Sequence, residues 1–199
     1  MADILLLGPQ GAGKGTQGRL IAAEYGIPHV ATGDMLRAAI YADTELGRQV
    51  KPIYDAGRLV PDELMIALIR ERLGAIDARE GFVLDGFPRT MPQAEALYEL
   101  LRELGRDLDV VFDFQVPHHD VLLERLLGRA EAEGRSDDTP EAIERRLELY
   151  ERETAPLVEY YRSHQANVVG VHADRSVAEV FREIDDALAE TQRHRKVEA

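Results

Sequence analysis

Ile4-Leu5-Leu6-Leu7-Gly8-Pro9-Gln10-Gly11-Ala12-Gly13-Lys14-Gly15-Thr16 decides the fold. Ile4 to Leu7 is a continuous apolar run, the pattern of a strand buried on both faces. Gln17 to Tyr25 reads as a helix closed by Gly26. Between strand and helix, Gly8 to Lys14 fits the spacing G-x-x-x-x-G-K. Glycines at this spacing let the backbone curl until successive N–H groups point at one anion. The start of the helix adds its partial positive charge, and Lys14 adds a full one within reach of the outer phosphates. Nucleotide phosphate is the ligand this geometry suits. One position departs from the general pattern of such a P-loop. The Ser or Thr that ordinarily follows the lysine and holds magnesium is replaced by Gly15, with a hydroxyl one step later at Thr16. A metal must then be held by other groups or through water.

Outward from the loop, strands and helices alternate. Pro28 to Ala31 reads as a second strand, followed by a helix for which Thr32 and Asp34 are candidate caps and which carries Arg37 in its first turns. Thr44 to Ala56 reads as a helix bent at Pro52 and stopped by Gly57, and Pro61 opens another over Asp62 to Leu73. Residues 32–60 thus form a helical excursion of the kind that covers a substrate. In Gly81 to Arg89 the apolar Phe82 to Leu84 is a strand with Asp85 at its C-terminal end, the edge where ligands bind in open α/β sheets. An acid there, beside a phosphate loop, is placed to organise magnesium, and Gly86 with Pro88 makes a fixed loop that aims Arg89.

Met91 to Leu104 reads as a helix and Asp109 to Val116 as a fourth strand. The next helix, Asp120 to Ala130, puts Arg125 and Arg129 one turn apart on one face. Two such like charges suggest an anion beside them; pairing with Glu124 or an acid from elsewhere is the alternative. Glu131 to Thr139 is polar, holds Gly134 and Arg135, and reads as a loop. Thr139-Pro140-Glu141 starts a long helix interrupted near Pro156, with Ile143, Leu147 and Tyr150 inward, Arg146 beside that stripe and Arg145 pointing away. Val168 to His172 is a fifth strand, Val177 to Ala189 a last helix, and the charged tail from Glu190 is expected to fray. Such alternation implies a parallel sheet wrapped on both sides.

The length, 199 residues, suits one domain, and 45% apolar with 31% charged residues is the composition of a soluble globular chain. No apolar run reaches the roughly 20 residues that span a bilayer. The N-terminus enters the first strand directly, so a cytoplasmic location is the expectation. With no cysteine, disulfides and thiolate metal sites are excluded. A net charge of −13 opposes unspecific binding to nucleic acid or anionic membrane. Yet the cations are 21 Arg against 3 Lys, one of them Lys14, so the question is which arginines stand where a phosphate could be. The six histidines form no metal-ligand spacing and read as structural or surface residues.

Four stretches, Gly8 to Gln17, Ala31 to Arg37, Asp85 to Thr90 and Gly134 to Asp138, together resemble the adenylate kinase family, and the resemblance covers essentially the whole chain. Gly15-Thr16 is that family's own spelling of the loop. The resemblance implies an α/β P-loop nucleoside triphosphate-binding fold, a five-stranded parallel sheet with helices on both faces. It implies a single kinase domain over 1–199, with core 1–30, 61–130 and 139–199, an AMP-binding flap 31–60 and a short lid loop 131–138. The implied reaction is reversible phosphoryl transfer from ATP to AMP, with Mg2+ as cofactor and Asp85 holding it, through water. Lys14, Arg89, Arg125, Arg135 and Arg146 are the implied catalytic residues. Gly11, Ala12, Gly13, Lys14, Gly15 and Thr16 would cradle the ATP phosphates together with Arg129, and backbone near Arg175 would lie beside the ATP adenine. Thr32, Arg37, Arg58, Leu59, Val60, Gly86, Phe87, Pro88, Arg89 and Gln93 would hold AMP, with Arg135 and Arg146 reaching it from the lid side. The lid loop is too short for a lid domain and lacks cysteines, so no structural zinc is expected. The partners implied are ATP and AMP or ADP, with no nucleic acid and no membrane, and a monomer is expected.

Phosphoryl transfer to an already ionised phosphate needs positioning and positive charge more than a general base, which accounts for candidates that are Arg and Lys rather than His. A UMP/CMP or other nucleoside monophosphate kinase is the alternative on the same scaffold, against which Thr32 and the donor–acceptor amide of Gln93 favour adenine. A nucleotide-dependent switch without turnover fits poorly, because the single Asn167 is followed by Val168 and no guanine-reading Asn-Lys-x-Asp exists.

Overall fold

The computed structural model describes residues 2–133 and 139–198. Arg135, with the rest of 134–138, lies outside the described residues. The elements run β1 (Asp3–Leu7), α1 (Lys14–Tyr25), β2 (His29–Ala31), α2 (Thr32–Tyr41), α3 (Glu45–Asp55), α4 (Asp62–Leu73), a 3-10 turn (Ile76–Ala78), β3 (Phe82–Asp85), α5 (Met91–Glu103), β4 (Val110–Gln115), α6 (His119–Glu133), α7 (Pro140–Leu149), a π-helical turn (Tyr150–Thr154), α8 (Leu157–Ser163), β5 (Val168–His172) and α9 (Val177–Glu198). All strands pair in parallel, in the order β2-β3-β1-β4-β5. From β1 the chain therefore crosses to the edge at β2, returns to β3 beside β1, and then builds outward through β4 and β5 on the other side. The crevice at that switch of direction lies at the C-terminal end of β1, where the glycine loop begins.

The apolar run of β1 is buried throughout. Ile4 and Leu6 join Phe112, Phe114, Ile21, Ile184 and Leu188 in one core, while Leu5 and Leu7 join Leu84, Val111, Ile69 and Leu97 in the other. That split follows the two-residue period of a strand and makes a core on each face of the sheet. At the opposite, N-terminal edge, Arg106 donates from Nε to Asp3 at 2.7 Å and from Nη1 to the Ala78 carbonyl at 2.7 Å, and pairs with Asp3 again through Nη2. The backbone N–H of Asp3 donates to Asp109 at 2.7 Å. This network ties the start of β1 to the turn before β4, far from the crevice.

Several element ends differ from the sequence reading. Helix α6 runs to Glu133, three residues into the expected loop, because Glu131 to Glu133 are good helix formers with no breaker before Gly134. Helix α9 continues to Glu198 through the tail expected to fray. The long helix after Thr139 loosens before Pro156: Ala155 N donates to Tyr150 O at 2.8 Å, a five-residue step that makes the π turn. Proline has no N–H with which to continue the α-helical ladder, so the widening one turn earlier absorbs the break. Thr32 is no cap. Ala31, extended, holds the N-cap position of α2 without a side-chain bond, and the Thr32 hydroxyl instead donates to the Asp85 carbonyl at 3.3 Å, joining α2 to β3.

Candidate active site

The crevice at the C-terminal edge of the sheet is a cleft of about 590 Å³. Its floor is the glycine loop. Gly13 takes the left-handed conformation that starts α1, and Ala12 N donates back to Pro9 O at 3.3 Å to close the curl. Gly8 has φ +143°, and a Cβ there would stand 2.7 Å from Phe114 Cβ. The loop is thus pressed on β4 at its entrance and open at its tip. Lys14 folds over it, Nζ donating to the carbonyls of Gly8 at 2.7 Å and Pro9 at 2.8 Å. Desolvation, reinforced by Arg89 and Arg129 and opposed by Asp85, lowers the Lys14 ammonium to about 8.

Asp85 ends β3 on the same floor. Desolvation works against its charge, but His29, Lys14 and Arg89 together hold its carboxyl below the usual carboxylate range. His29 Nε2 lies 3.6 Å from Asp85 Oδ2, in a slot so tight that a Cβ on Gly18 would come within 2.5 Å of it. The sequence reading counted all six histidines as structural or surface residues without relating any to this carboxylate. Pairing of β2 with β3 sets Ala31 opposite Asp85, and His29 is two residues back on the same face of its strand. Only the strand neighbours reveal it.

Among the described residues, eight arginines line the cleft: Arg19, Arg37, Arg58, Arg89, Arg125, Arg129, Arg146 and Arg175. All the expected ones within the described residues are there, and Arg19 was not anticipated. Arg89 is the most firmly aimed. Its Nε donates to Gly86 O at 2.8 Å, its N–H to Gln93 Oε1 at 2.8 Å, and its carbonyl accepts from the Thr154 hydroxyl at 2.8 Å. Burial, the largest influence, draws its guanidinium below its ordinary pKa. Arg146 is buried, donates to Tyr54 O at 3.1 Å and lies over the Tyr54 ring, 5.4 Å from its centre. Arg37 donates to the Tyr54 hydroxyl at 2.5 Å and pairs with Asp34. Arg125 spends its Nη1 on the Ala173 carbonyl at 2.8 Å, with Gly11 O at 3.5 Å. Arg175 turns its guanidinium to Glu183 and the His172 carbonyl, so what it offers the cleft is its loop.

Gly11 to Thr16, Thr32, Arg58, Leu59, Val60, Gly86 and Gln93 also line the cleft. Phe87 and Pro88 do not: both are buried, Phe87 in the core beside Leu84, joined by a cis peptide bond. Gln93, fully enclosed, donates to Asp62 Oδ1 at 2.7 Å while its carbonyl oxygen takes the Arg89 N–H. Its amide therefore braces the Arg89 loop, a role that spacing alone did not suggest. Among the described residues no three His, Asp or Glu side chains gather to hold a metal by themselves. Among the described residues two carboxylates line the cleft, Asp34, which is paired with Arg37, and Asp85. The bare Gly15, whose missing Cβ would lie 3.5 Å from Asp85 Oδ2, leaves room beside it. One carboxylate, a nearby hydroxyl and water are a donor set for a hard cation carried in on phosphate oxygens.

Comparison with known proteins agrees with this geometry. The family model described as "Adenylate kinase" matches residues 6–166, a span that holds the glycine loop, Asp85, Arg89 and Arg146. A protein named adenylate kinase from Cyanothece sp. is 48% identical over 190 residues, covering 94% of this chain and 97% of its own length. One from Leptospira biflexa is 50% identical over 163 residues, covering 82% and 87%, and one from Bacillus subtilis 40% identical over 213 positions, covering 94% and 97%. With a family model matching residues 6–166 and relatives 40–50% identical over most of the chain, the chain belongs to the adenylate kinase family.

Proposed function

We propose that the protein transfers the γ-phosphoryl group of ATP reversibly to AMP, giving two ADP, by direct in-line displacement between two bound nucleotides. The observation that carries this is the convergence of Lys14, the glycine loop and eight arginines on one cleft of a chain whose net charge is −13. The terminal P–O bond of ATP breaks as an AMP phosphate oxygen bonds to the γ-phosphorus, and no proton need move. The requirement is alignment and charge neutralisation. The loop N–H groups and Lys14 hold the donor's outer phosphates, with Arg125 and Arg129 on the α6 side. Arg89, fixed by its three backbone bonds, and Arg146 stand between donor and acceptor, and Arg37 takes the AMP phosphate. Arginine's planar fork suits such bidentate contacts. Mg2+ bound with ATP would neutralise charge on the outer phosphates, and Asp85, through water, and Thr16 are the residues that would hold it.

Residues 31–60 serve as the AMP flap, carried on α2 and α3, with 131–138 as a short lid. Closure of both keeps water from the γ-phosphate. The alignment to the Bacillus subtilis relative is longer than this chain, so that relative carries residues this one lacks, which is consistent with a short lid here. No helix among the described residues is long and apolar enough to cross a membrane. We take the protein to work in the cytoplasm as a monomer.

The test is an assay of diphosphate formation with ATP, Mg2+ and each monophosphate in turn. ADP formation with AMP, lowered on the order of 10²-fold or more by Lys14→Met or Arg89→Lys, is the expected result. Comparable turnover of CMP or UMP overturns the acceptor, and nucleotide binding without turnover overturns the reaction. Because Gln93 braces Arg89, Gln93→Leu is expected to lower kcat as well as discrimination against CMP; a change in discrimination alone would mean that Gln93 only reads the base.

A further inference from the structure

The loop between β5 and α9, residues 173–176, forms the wall of the cleft farthest along the sheet from the flap. Under the reading above it faces the base of the phosphoryl donor. Three side chains from three helices grip it. Arg125 of α6 holds the Ala173 carbonyl. Glu183 of α9 gathers the His172 N–H at 3.4 Å, the His172 ring at 3.2 Å and the Arg175 guanidinium. Gln17, in the first turn of α1, donates Nε2 to the Val177 carbonyl at 2.9 Å, across 160 positions of sequence.

Gln17 is the informative one. Only 3% of it is exposed, and its other amide atom, Oε1, is buried without a hydrogen-bond partner. A desolvated acceptor of that kind is unfavourable, and an apolar side chain of the same shape would remove the penalty. What the amide supplies that an apolar chain could not is the single bond to Val177, the first residue of α9. Lys14 and Gln17 share the first turn of α1, so this bond sets the distance between the loop that takes phosphates and the wall that would take a base. Helices α1 and α9 are pinned again farther from the cleft, where the Tyr25 hydroxyl donates to Asp185 at 2.7 Å.

We propose that Gln17 is a positioning residue for the donor nucleotide: through Val177 it holds the 173–176 wall at the spacing that lets one ATP engage the phosphate loop and the wall together. This rests on the ATP:AMP reading, and Glu183 supports it by fixing the other end of the wall. Gln17 touches no reacting atom, so its influence falls on ATP binding and on the choice of donor base, not on the chemical step.

The test uses Gln17→Met, which keeps shape and removes the donor, Gln17→Glu, which sets a carboxylate against the Val177 carbonyl, and Tyr25→Phe, which removes the other α1–α9 bond. Steady-state constants for ATP, GTP and AMP are measured beside thermal melting. We expect both Gln17 variants to raise KM for ATP about five- to tenfold, the scale of one net hydrogen bond, and to narrow the preference for ATP over GTP. KM for AMP and kcat at saturation should stay within twofold. Tyr25→Phe should lower the melting temperature and leave every KM within twofold. An unchanged KM for ATP in either folded Gln17 variant overturns the proposal, as does an equal rise in Tyr25→Phe, which would make the effect general loosening of the helix pair. A wild-type protein that turns over no AMP fails the underlying reading instead, and direct titration of ATP onto the variants then still measures the Gln17 effect.

Discussion

Replacing Gly8 by alanine tests how closely the phosphate loop is fitted to the sheet. The new Cβ would stand 2.7 Å from Phe114 Cβ and 2.8 Å from Phe114 O. Carbon atoms rest at about 3.5–4.0 Å, so the overlap is about 1 Å. Phe114 has nowhere to go: it is 1% exposed and its strand is paired with β1 on one side and β5 on the other. The loop must move instead. The backbone at φ +143° adds strain of about 1–3 kcal/mol for a residue with a side chain, and the overlap a further ~1–3 kcal/mol. A total of about 4 kcal/mol lowers the melting temperature of a domain this size by about 8–16 °C. A displacement of about 1 Å at the loop is enough to lower kcat/KM for ATP roughly 10²-fold. Gly13→Ala is the control. Gly13 also has a positive φ, +88°, but nothing lies within 4 Å of its would-be Cβ, so only the strain remains and the melting shift should be half as large or less. Scanning calorimetry and initial rates on both variants decide the matter. If Gly8→Ala melts within 2 °C of the parent and keeps its rate within about threefold, the close approach of loop and β4 does not set the geometry of the site.

Lys14 makes a pH prediction whose sign is fixed. Its ammonium in the free protein sits near 8 against 10.5 ordinarily, so kcat/KM for ATP should fall as pH rises through 8, while bound phosphates keep the proton on and hold kcat level to higher pH. The folded state holds that proton less tightly than the unfolded chain, so this group's penalty is complete below about 8 and fades toward 10.5; Lys14→Met should be inactive yet melt higher than the parent at pH 7. A kcat/KM independent of pH between 7 and 9 would contradict the burial argument. Arg106→Met withdraws the guanidinium from the buried Asp3 carboxylate and should destabilise the protein by about 3–5 kcal/mol in urea unfolding, with kcat at 25 °C unchanged. A loss below about 1 kcal/mol would mean the pair behaves as a surface ion pair.

The glycine loop, the strand before it and the Asp85-to-Arg89 turn were legible in the sequence because their conformations are set by the residues within them. Glycine curls, proline fixes a turn and an unbroken apolar run must be buried, whatever the rest of the chain does. Sheet class followed from the alternation of strands and helices. Element ends were less legible. The π turn before Pro156 and the extra turn of α6 depend on how the chain settles around a break, which propensity does not resolve. Partners were not legible at all. Arg89 and Arg106 are the same residue type, each in a turn beside a helix, yet one points into the cleft and the other into an ion pair at the opposite edge. Gln93 reaching Asp62, His29 behind Asp85 and Gln17 reaching Val177 all join segments far apart in sequence that become neighbours only once the elements pack around the sheet. The sequence by itself determined a phosphate-binding loop on a parallel sheet and a reaction class built on cations. Tertiary structure alone decided which cations face the phosphates and what holds them in place, because a side chain's partner is set by approach through space, and hydrophobic period and motif spacing describe only approach along the chain.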